Sequence, residues 1–248
     1  MAQQTQVTRV VPKWLEFMEA FPTPHACADA PLGDVLRLWQ GLGYPRRARN
    51  LHAAAGRVVE LGRFPDTLDG LRALPGVGPY TARAVLAFAF EAEAAVVDTN
   101  VARVLARAAG RTMTAREVQA AADGSLALDE PWAWNQCVME LGALLCRPTS
   151  PECTSCPLAA QCAWALDPTK PDPAIGSAGV SARQARFEGS DRQARGRLMR
   201  ALADGPVPVD AVAHVVGRTP EVASRIVAGV LADGLCVRDA EHGVLTLP

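Results

Sequence analysis

The sequence predicts an all-α protein with a small winged-helix-like unit at its carboxyl end. Three observations carry this reading. Apolar residues recur at helical spacing through most of the chain as far as Cys146. An aperiodic stretch rich in Pro, Gly, Ala and Ser, Asp167–Gly179, then breaks the pattern. Beyond it come three more helical segments and two short strand-like runs.

Taken in order, Val7, Val10, Val11, Trp14, Leu15 and Met18 mark one face of a first helix. Pro31 suits the first turn of a second, which carries Leu32, Val35, Leu36 and Trp39. Leu51, Ala54, Val58 and Leu61 define a third, and Asp66 is the expected N-cap of a short fourth bearing Leu68 and Leu71. Further helices are expected over Pro79–Phe90, around Val101–Ala108, after a Thr114/Glu117 capping box, and from Trp134 to Cys146. The carboxyl unit should hold helices over Asp191–Ala203, Val209–Val216 and Pro220–Ala232. Strands over Leu235–Asp239 and Val244–Leu247 follow, turning at Glu241–Gly243. The expected division is a domain over 1–165, a linker over 166–189 and the small unit over 190–248.

A chain of 248 residues, 49% hydrophobic and 21% charged, can bury a substantial core. No apolar run approaches the ~18 residues of a membrane span, and the polar start Met1–Gln6 is unlike a secretory leader. The expectation is a cytoplasmic protein with reduced thiols and no membrane partner. Net charge is −1, but the basic residues are almost all arginine, grouped at Arg46, Arg47 and Arg49, at Arg103, Arg107 and Arg111, and from Arg183 to Arg200. Arginine forks suit phosphate; solvated helix faces are the other reading. For the last group the expectation is weak phosphate contact.

Cys146, Cys153, Cys156 and Cys162 are separated by six, two and five residues. Four thiolates in one short loop can enclose a soft metal centre. One close pair flanked by single cysteines suits a loop wrapped round an iron–sulfur cluster better than zinc, which more often takes two close pairs, though zinc stays open. Cys27, Cys137 and Cys236 stand among apolar residues and are expected in the core.

Leu74-Pro75-Gly76-Val77-Gly78 lies between two helical segments. Gly76 and Gly78 permit a tight turn with amides open at a helix start, a phosphate site in kind. Twenty residues after Gly78 comes Asp98, in Val96-Val97-Asp98-Thr99-Asn100, where a carboxylate could equally be an N-cap.

Hairpin, aspartate and cysteine loop together resemble the helix-hairpin-helix DNA glycosylases of the endonuclease III and MutY superfamily. The resemblance spans roughly residues 1–164 and implies a two-lobed helical fold, a [4Fe–4S] cluster on the four cysteines, and Asp98 as the catalytic carboxylate that stabilises the sugar cation. It implies Arg147, in the cluster loop, as a phosphate contact. The β-lyase branch carries a lysine where this chain has Tyr80, so the resemblance implies a monofunctional enzyme.

Further stretches are similar to the MutY-type adenine glycosylases. Gln3–Val7 matches their DNA-probing turn, with Gln4 as the wedge. Trp39–Tyr44 matches the segment whose tyrosine, Tyr44 here, stacks beside 8-oxoguanine; Arg46, Arg49, Asn50 and Leu51 continue it. Asn135-Gln136 and Glu140–Gly142 match the helix where Glu140 would contact the extruded adenine, and Asn100 is typical of the branch. The implied partner is double-stranded DNA with adenine opposite 8-oxoguanine or guanine, bound by a monomer. An endonuclease III-like or thymine-mismatch glycosylase is the alternative within the fold. A non-catalytic lesion-binding protein and a redox-sensing regulator are the alternatives outside it.

This chain departs from the family pattern in three places. Ala2 stands where the wedge has leucine. The region after Gly179 does not resemble the domain that reads 8-oxoguanine. The family's general-acid glutamate lies just upstream of the Met-x-Gln-Gln stretch, at whose methionine this chain begins. The expectation is a start assigned too late, and weak excision by the chain as written.

Overall fold

The computed structural model describes residues 1–2, 5–180 and 186–248. Its helices run in chain order α1 (Val7–Ala20), α2 (Pro24–Asp29), α3 (Leu32–Leu38), α4 (Arg46–Leu61), α5 (Leu68–Arg72), α6 (Pro79–Ala89), α7 (Thr99–Ala109), α8 (Ala115–Ser125) and α9 (Pro131–Leu144). Two single 3₁₀ turns, Cys153–Ser155 and Ala159–Gln161, shape the cysteine loop. After them come α10 (Asp191–Asp204), β1 (Val207–Pro208), α11 (Val212–Val216), α12 (Pro220–Ala232), β2 (Val237–Asp239) and β3 (Val244–Thr246).

Local chemistry explains most boundaries. The Thr114 hydroxyl and the Glu117 carboxylate close the predicted capping box on α8. Gly62 and Gly110 end α4 and α7 in the left-handed region. Three expectations shift. α2 is an extra helix of six residues, started by Pro24 and capped by Thr23, too short for periodicity to reveal. α5 is capped by Thr67, whose hydroxyl accepts from the Gly70 amide at 3.2 Å, and not by Asp66. β1 adds a two-residue edge to the terminal hairpin.

Contacts gather the chain into two compact units, each built from more than one stretch. The first comprises Met1–Phe64, Leu74–Gly76 and Gln184–Pro248, taken over the described residues. A single apolar core joins Phe17, Val35, Leu36, Trp39 and Leu42 to Leu198, Leu202, Val216, Val230, Leu235 and Leu245. The amphipathic faces of α1–α4 and of α10–α12 are thus buried against each other. Sequence order splits these stretches at 165 and 190; their apolar faces bring them together. The small sheet has strand order β1-β3-β2, antiparallel throughout, with Val207 opposite Leu245 and Arg238 opposite the same residue. The chain then returns to α3, where the Gly33 amide donates to the Pro248 carbonyl at 3.0 Å.

The second unit comprises Pro65–Ala73 and Val77–Arg183. Here α7 lies against α8 and α9. A Cβ at Gly142 would stand 2.6 Å from the Asn100 Cβ, so only glycine lets α9 come this close to the start of α7. The buried Asn135 accepts from the Val96 amide at 2.7 Å and donates to the Ala94 and Pro131 carbonyls, locking the strand-like run that leads into α7. Asp167–Gly179 has no helix or strand, but it is not a free linker. The Ser177 hydroxyl accepts from the Met113 amide at 3.0 Å, and the Ala178 amide donates to the Met113 carbonyl at 2.9 Å. Among the described residues no helix is long and apolar enough to cross a membrane.

Candidate active site and cysteine loop

Asp98 is the N-cap of α7. One carboxylate oxygen accepts from the amides of Asn100 and Val101, both at 2.8 Å, and the other from the Asn100 side-chain amide at 3.0 Å. The acid is half-buried, fixed by three donors at the positive end of a helix. The phenol of Tyr80, on the first turn of α6, is pushed up from its ordinary pKa by burial and by the charge of Asp98. The Asp98 carboxylate thus has a neutral phenol nearby and no amine on the hairpin.

Behind Asn100 stands Arg103, 3% exposed. It donates to the Asn100 side-chain oxygen at 2.8 Å, to the Gly142 carbonyl at 2.6 Å and to the Cys146 carbonyl at 2.6 Å. One turn on, Arg107 is buried still more completely. It donates toward the Cys146 sulfur at 3.3 Å and to the Arg147 carbonyl at 2.8 Å, forks onto Asp172 at 3.0 and 2.6 Å, and lies over the Trp164 ring. Burial opposes the charge of Asp172, but the hydrogen bonds from Arg107 hold its carboxyl below the usual range. These arginines, expected at phosphate contacts or on solvated faces, are an internal framework. The signal was present, since Arg103 and Arg107 are one turn apart on a helix whose neighbours Val101, Ala102, Val104 and Ala106 are all buried. Arg111, third in the group, pairs with Glu117 at 2.7 Å.

Cys146, Cys153, Cys156 and Cys162 line one pocket, walled by Arg107 and Trp164. Burial, then the charges of the other three cysteines, push the Cys153 thiol up. The quartet therefore converges on one space as its spacing implied. Among the described residues, no three His, Cys, Asp or Glu side chains close to the separation of a single bound ion. Cys27 and Cys236 are buried as expected, but Cys137 is exposed, because α9 turns that face outward. Arg147 is exposed and paired with Glu152 at 2.7 Å. Glu140 lies exposed on α9.

In the first unit, Gly76 has φ +75°, and a Cβ there would meet the Asn50 side-chain nitrogen at 2.5 Å. In the second, Gly78 caps α6 with no side chain over its first-turn amides. Trp39–Pro45 forms a tight turn that leaves Tyr44 exposed at φ +49°. Gln4 lies outside the described residues, as does Arg183. Of the later arginines, Arg192 lies over Phe187, Arg195 pairs with Asp233, and Arg197 donates to the Val216 carbonyl. Arg186 pairs with Glu188 at 3.0 Å, and Arg200 stands exposed.

Residues 1–126 match the family model described as the HhH-GPD superfamily base excision DNA repair protein. The adenine DNA glycosylase of Mycolicibacterium smegmatis is 40% identical over 97% of this chain and 83% of its own length. That of Mycobacterium tuberculosis is 39% identical over the whole chain and 83% of its own. The human adenine DNA glycosylase is 40% identical over 65% of the chain and 31% of its own. Among solved structures, a trapped endonuclease III–DNA covalent intermediate superposes with TM-score 0.61 at 28% identity, over 68% of this chain and 82% of that one. A thermostable thymine-DNA glycosylase shares the fold, with TM-score 0.60 at 24% identity over 66% and 79%.

Proposed function

The chain belongs to the HhH-GPD superfamily of base excision DNA repair proteins, and on that premise we propose that it hydrolyses the N-glycosidic bond of adenine mispaired with 8-oxoguanine or guanine in double-stranded DNA. The observation that carries the chemistry is Asp98, held by two amides and the Asn100 side chain. As the bond to the base breaks, positive charge develops on the sugar, and a pre-oriented carboxylate stabilises it without reorganising; water then adds to the sugar carbon, and the proton balance closes with one proton on the departing adenine. The target nucleotide must leave the stack to reach such a site. Tyr80 offers no amine for a Schiff base, so the reaction stops at the abasic site. Gly76 and Gly78 give the hairpin a backbone that can approach phosphate closely.

The roles read for Gln4 as wedge, Tyr44 as stacking ring, Glu140 as contact to the extruded adenine and Arg147 as phosphate contact belong to this proposal. So do a monomeric state and a cytoplasmic setting, where thiols stay reduced. Four thiols around one pocket, with the Arg107 guanidinium against Cys146, suit a [4Fe–4S] cluster. Cys146, Cys153, Cys156 and Cys162 would hold such a cluster, which would organise their loop.

Single-turnover assays on duplexes with one adenine opposite 8-oxoguanine, guanine or thymine test the reading. The expected products are alkali-labile sites opposite the first two, formed slowly, with no nick before alkali and no adduct after borohydride. Asp98→Asn should lose excision yet keep its fold, since asparagine caps a helix as well as aspartate does. Excision by Asp98→Asn at the wild-type rate would overturn the assignment.

A further inference from the structure

The turn Trp39–Pro45 stands in conformations that need outside support. Gly41 and Gly43 take φ +90° and +70° without strain, but Tyr44 has φ +49°, and a bulky residue persists there only when its surroundings over-determine it. Part of the support is local. The Trp39 indole N–H donates to the Gly43 carbonyl at 3.0 Å. Arg47 lies over both the Trp39 and Tyr44 rings and donates to the Leu42 and Gly43 carbonyls.

The rest comes from the carboxyl-terminal helices. The Gln40 side chain donates to the Met199 carbonyl on α10 at 3.3 Å. Asp233, just past α12, has a side chain 6% exposed and accepts from Arg46 and Arg195. Arg49 donates to its backbone carbonyl at 2.5 Å. Two arginines of the first turn of α4, directly after Tyr44 and Pro45, thus close on one buried residue of the carboxyl unit.

The surface a winged helix would offer to a DNA groove is poorly suited to it. The exposed residues of α12 include Glu221, Ser224, Arg225 and Ala228, and Arg225 is paired with Asp191 at 2.7 Å. The β2–β3 turn exposes Glu241 and His242, the latter tied to Asp239. Carboxylates on these two elements would repel phosphate.

We propose that Asp233 is a positioning residue for the Tyr44 turn: through Arg46 and Arg49 it clamps the start of α4, and the carboxyl-terminal helices serve as a buttress for the lesion-reading segment instead of as a second DNA-binding surface. The link to lesion reading rests on Tyr44 stacking beside 8-oxoguanine; the clamp itself does not.

The test is Asp233→Asn in the full chain, which keeps side-chain volume and removes the charge. Hydrogen exchange of the Trp39 indole N–H, followed by NMR, should accelerate about ten-fold or more. The Val96 amide, bonded to Asn135 in the other unit, should be unaffected. Preference for adenine opposite 8-oxoguanine over guanine should fall about five-fold, and this fall should vanish in a Tyr44→Ala background. Unchanged Trp39 exchange in a folded Asp233→Asn protein would sink the proposal. Faster exchange with unchanged preference would uphold the clamp and reject the reading of Tyr44. Should Asp233→Asn fail to fold, Arg46→Gln, at a side chain 64% exposed, carries the same two measurements with the same outcomes.

Discussion

Arg103 donates to the side-chain oxygen of Asn100 at 2.8 Å, while the Asn100 side-chain nitrogen donates to Asp98 at 3.0 Å. The same guanidinium binds the carbonyls of Gly142 and Cys146. One buried arginine therefore orients the amide that orients the candidate catalytic carboxylate, and ties both to the end of α9 and the cysteine loop. Arg103→Ala strands the buried Gly142 carbonyl and the half-buried Cys146 carbonyl and should cost roughly 3 kcal/mol, with single-turnover excision at least about ten-fold slower in the fraction that folds. Arg103→Lys keeps the charge but cannot span the three acceptors as a planar fork, so it should recover stability only in part. Denaturant unfolding and excision on the same preparations check both; wild-type stability for Arg103→Lys would refute the argument from geometry.

Gly76→Ala meets two obstacles at once, a φ of +75° and the Asn50 side chain at 2.5 Å. The left-handed backbone costs about 1 kcal/mol for alanine, and displacement of Asn50 adds to it. Thermal unfolding should show the loss, and DNA affinity should fall with it as the hairpin shifts. Gly78→Ala, at φ −88° with open space for a Cβ, should be tolerated far better in stability. Equal losses for the two variants would contradict this account.

Glu117 has its carboxyl lowered from 4.5 to about 2, by the Thr114 amide first, then the Thr114 hydroxyl and Arg111. Because the folded value lies below the unfolded one, its contribution to stability is complete above about pH 4.5 and is lost as pH falls toward about 2. In a carboxyl-carbon NMR titration Glu117 should still be ionised near pH 3.5, where an ordinary glutamate is largely protonated. Thr114→Val should return its midpoint toward the ordinary value. A normal midpoint in the wild-type protein would show that the capping box does not form in solution.

Protein purified without oxygen should carry about four irons per chain and be yellow-brown. Cys153→Ser should lose the iron, and DNA binding should weaken as the loop loosens. Stoichiometric zinc in place of iron would defeat the cluster assignment. Asp172→Asn should leave the four ligands in place but remove the charge that balances Arg107. Slower-growing iron loss on dilution into chelator, relative to wild type, would argue against that balance; faster loss is expected.

Most helices were legible from the sequence because their causes are local. Apolar spacing, the Thr114/Glu117 box and the glycines after α4 and α7 act within a few residues of themselves. Asp98 could be read both as an N-cap and as a catalytic carboxylate, and in the structure it caps α7. The cysteine spacing also implied a common pocket, since four ligands in one short loop have little freedom to diverge. What only the tertiary structure decided is which charges lie inside. Arg107 meets Asp172 across 65 residues, and Arg49 meets Asp233 across 184. An arginine looks the same in sequence whether solvent, phosphate or a distant carboxylate receives it; desolvation and pairing depend on long-range packing. The same holds for the carboxyl-terminal helices. Their apolar faces announced a core, but that the core is shared with α1–α4 depends on which faces come together, and no local pattern specifies that.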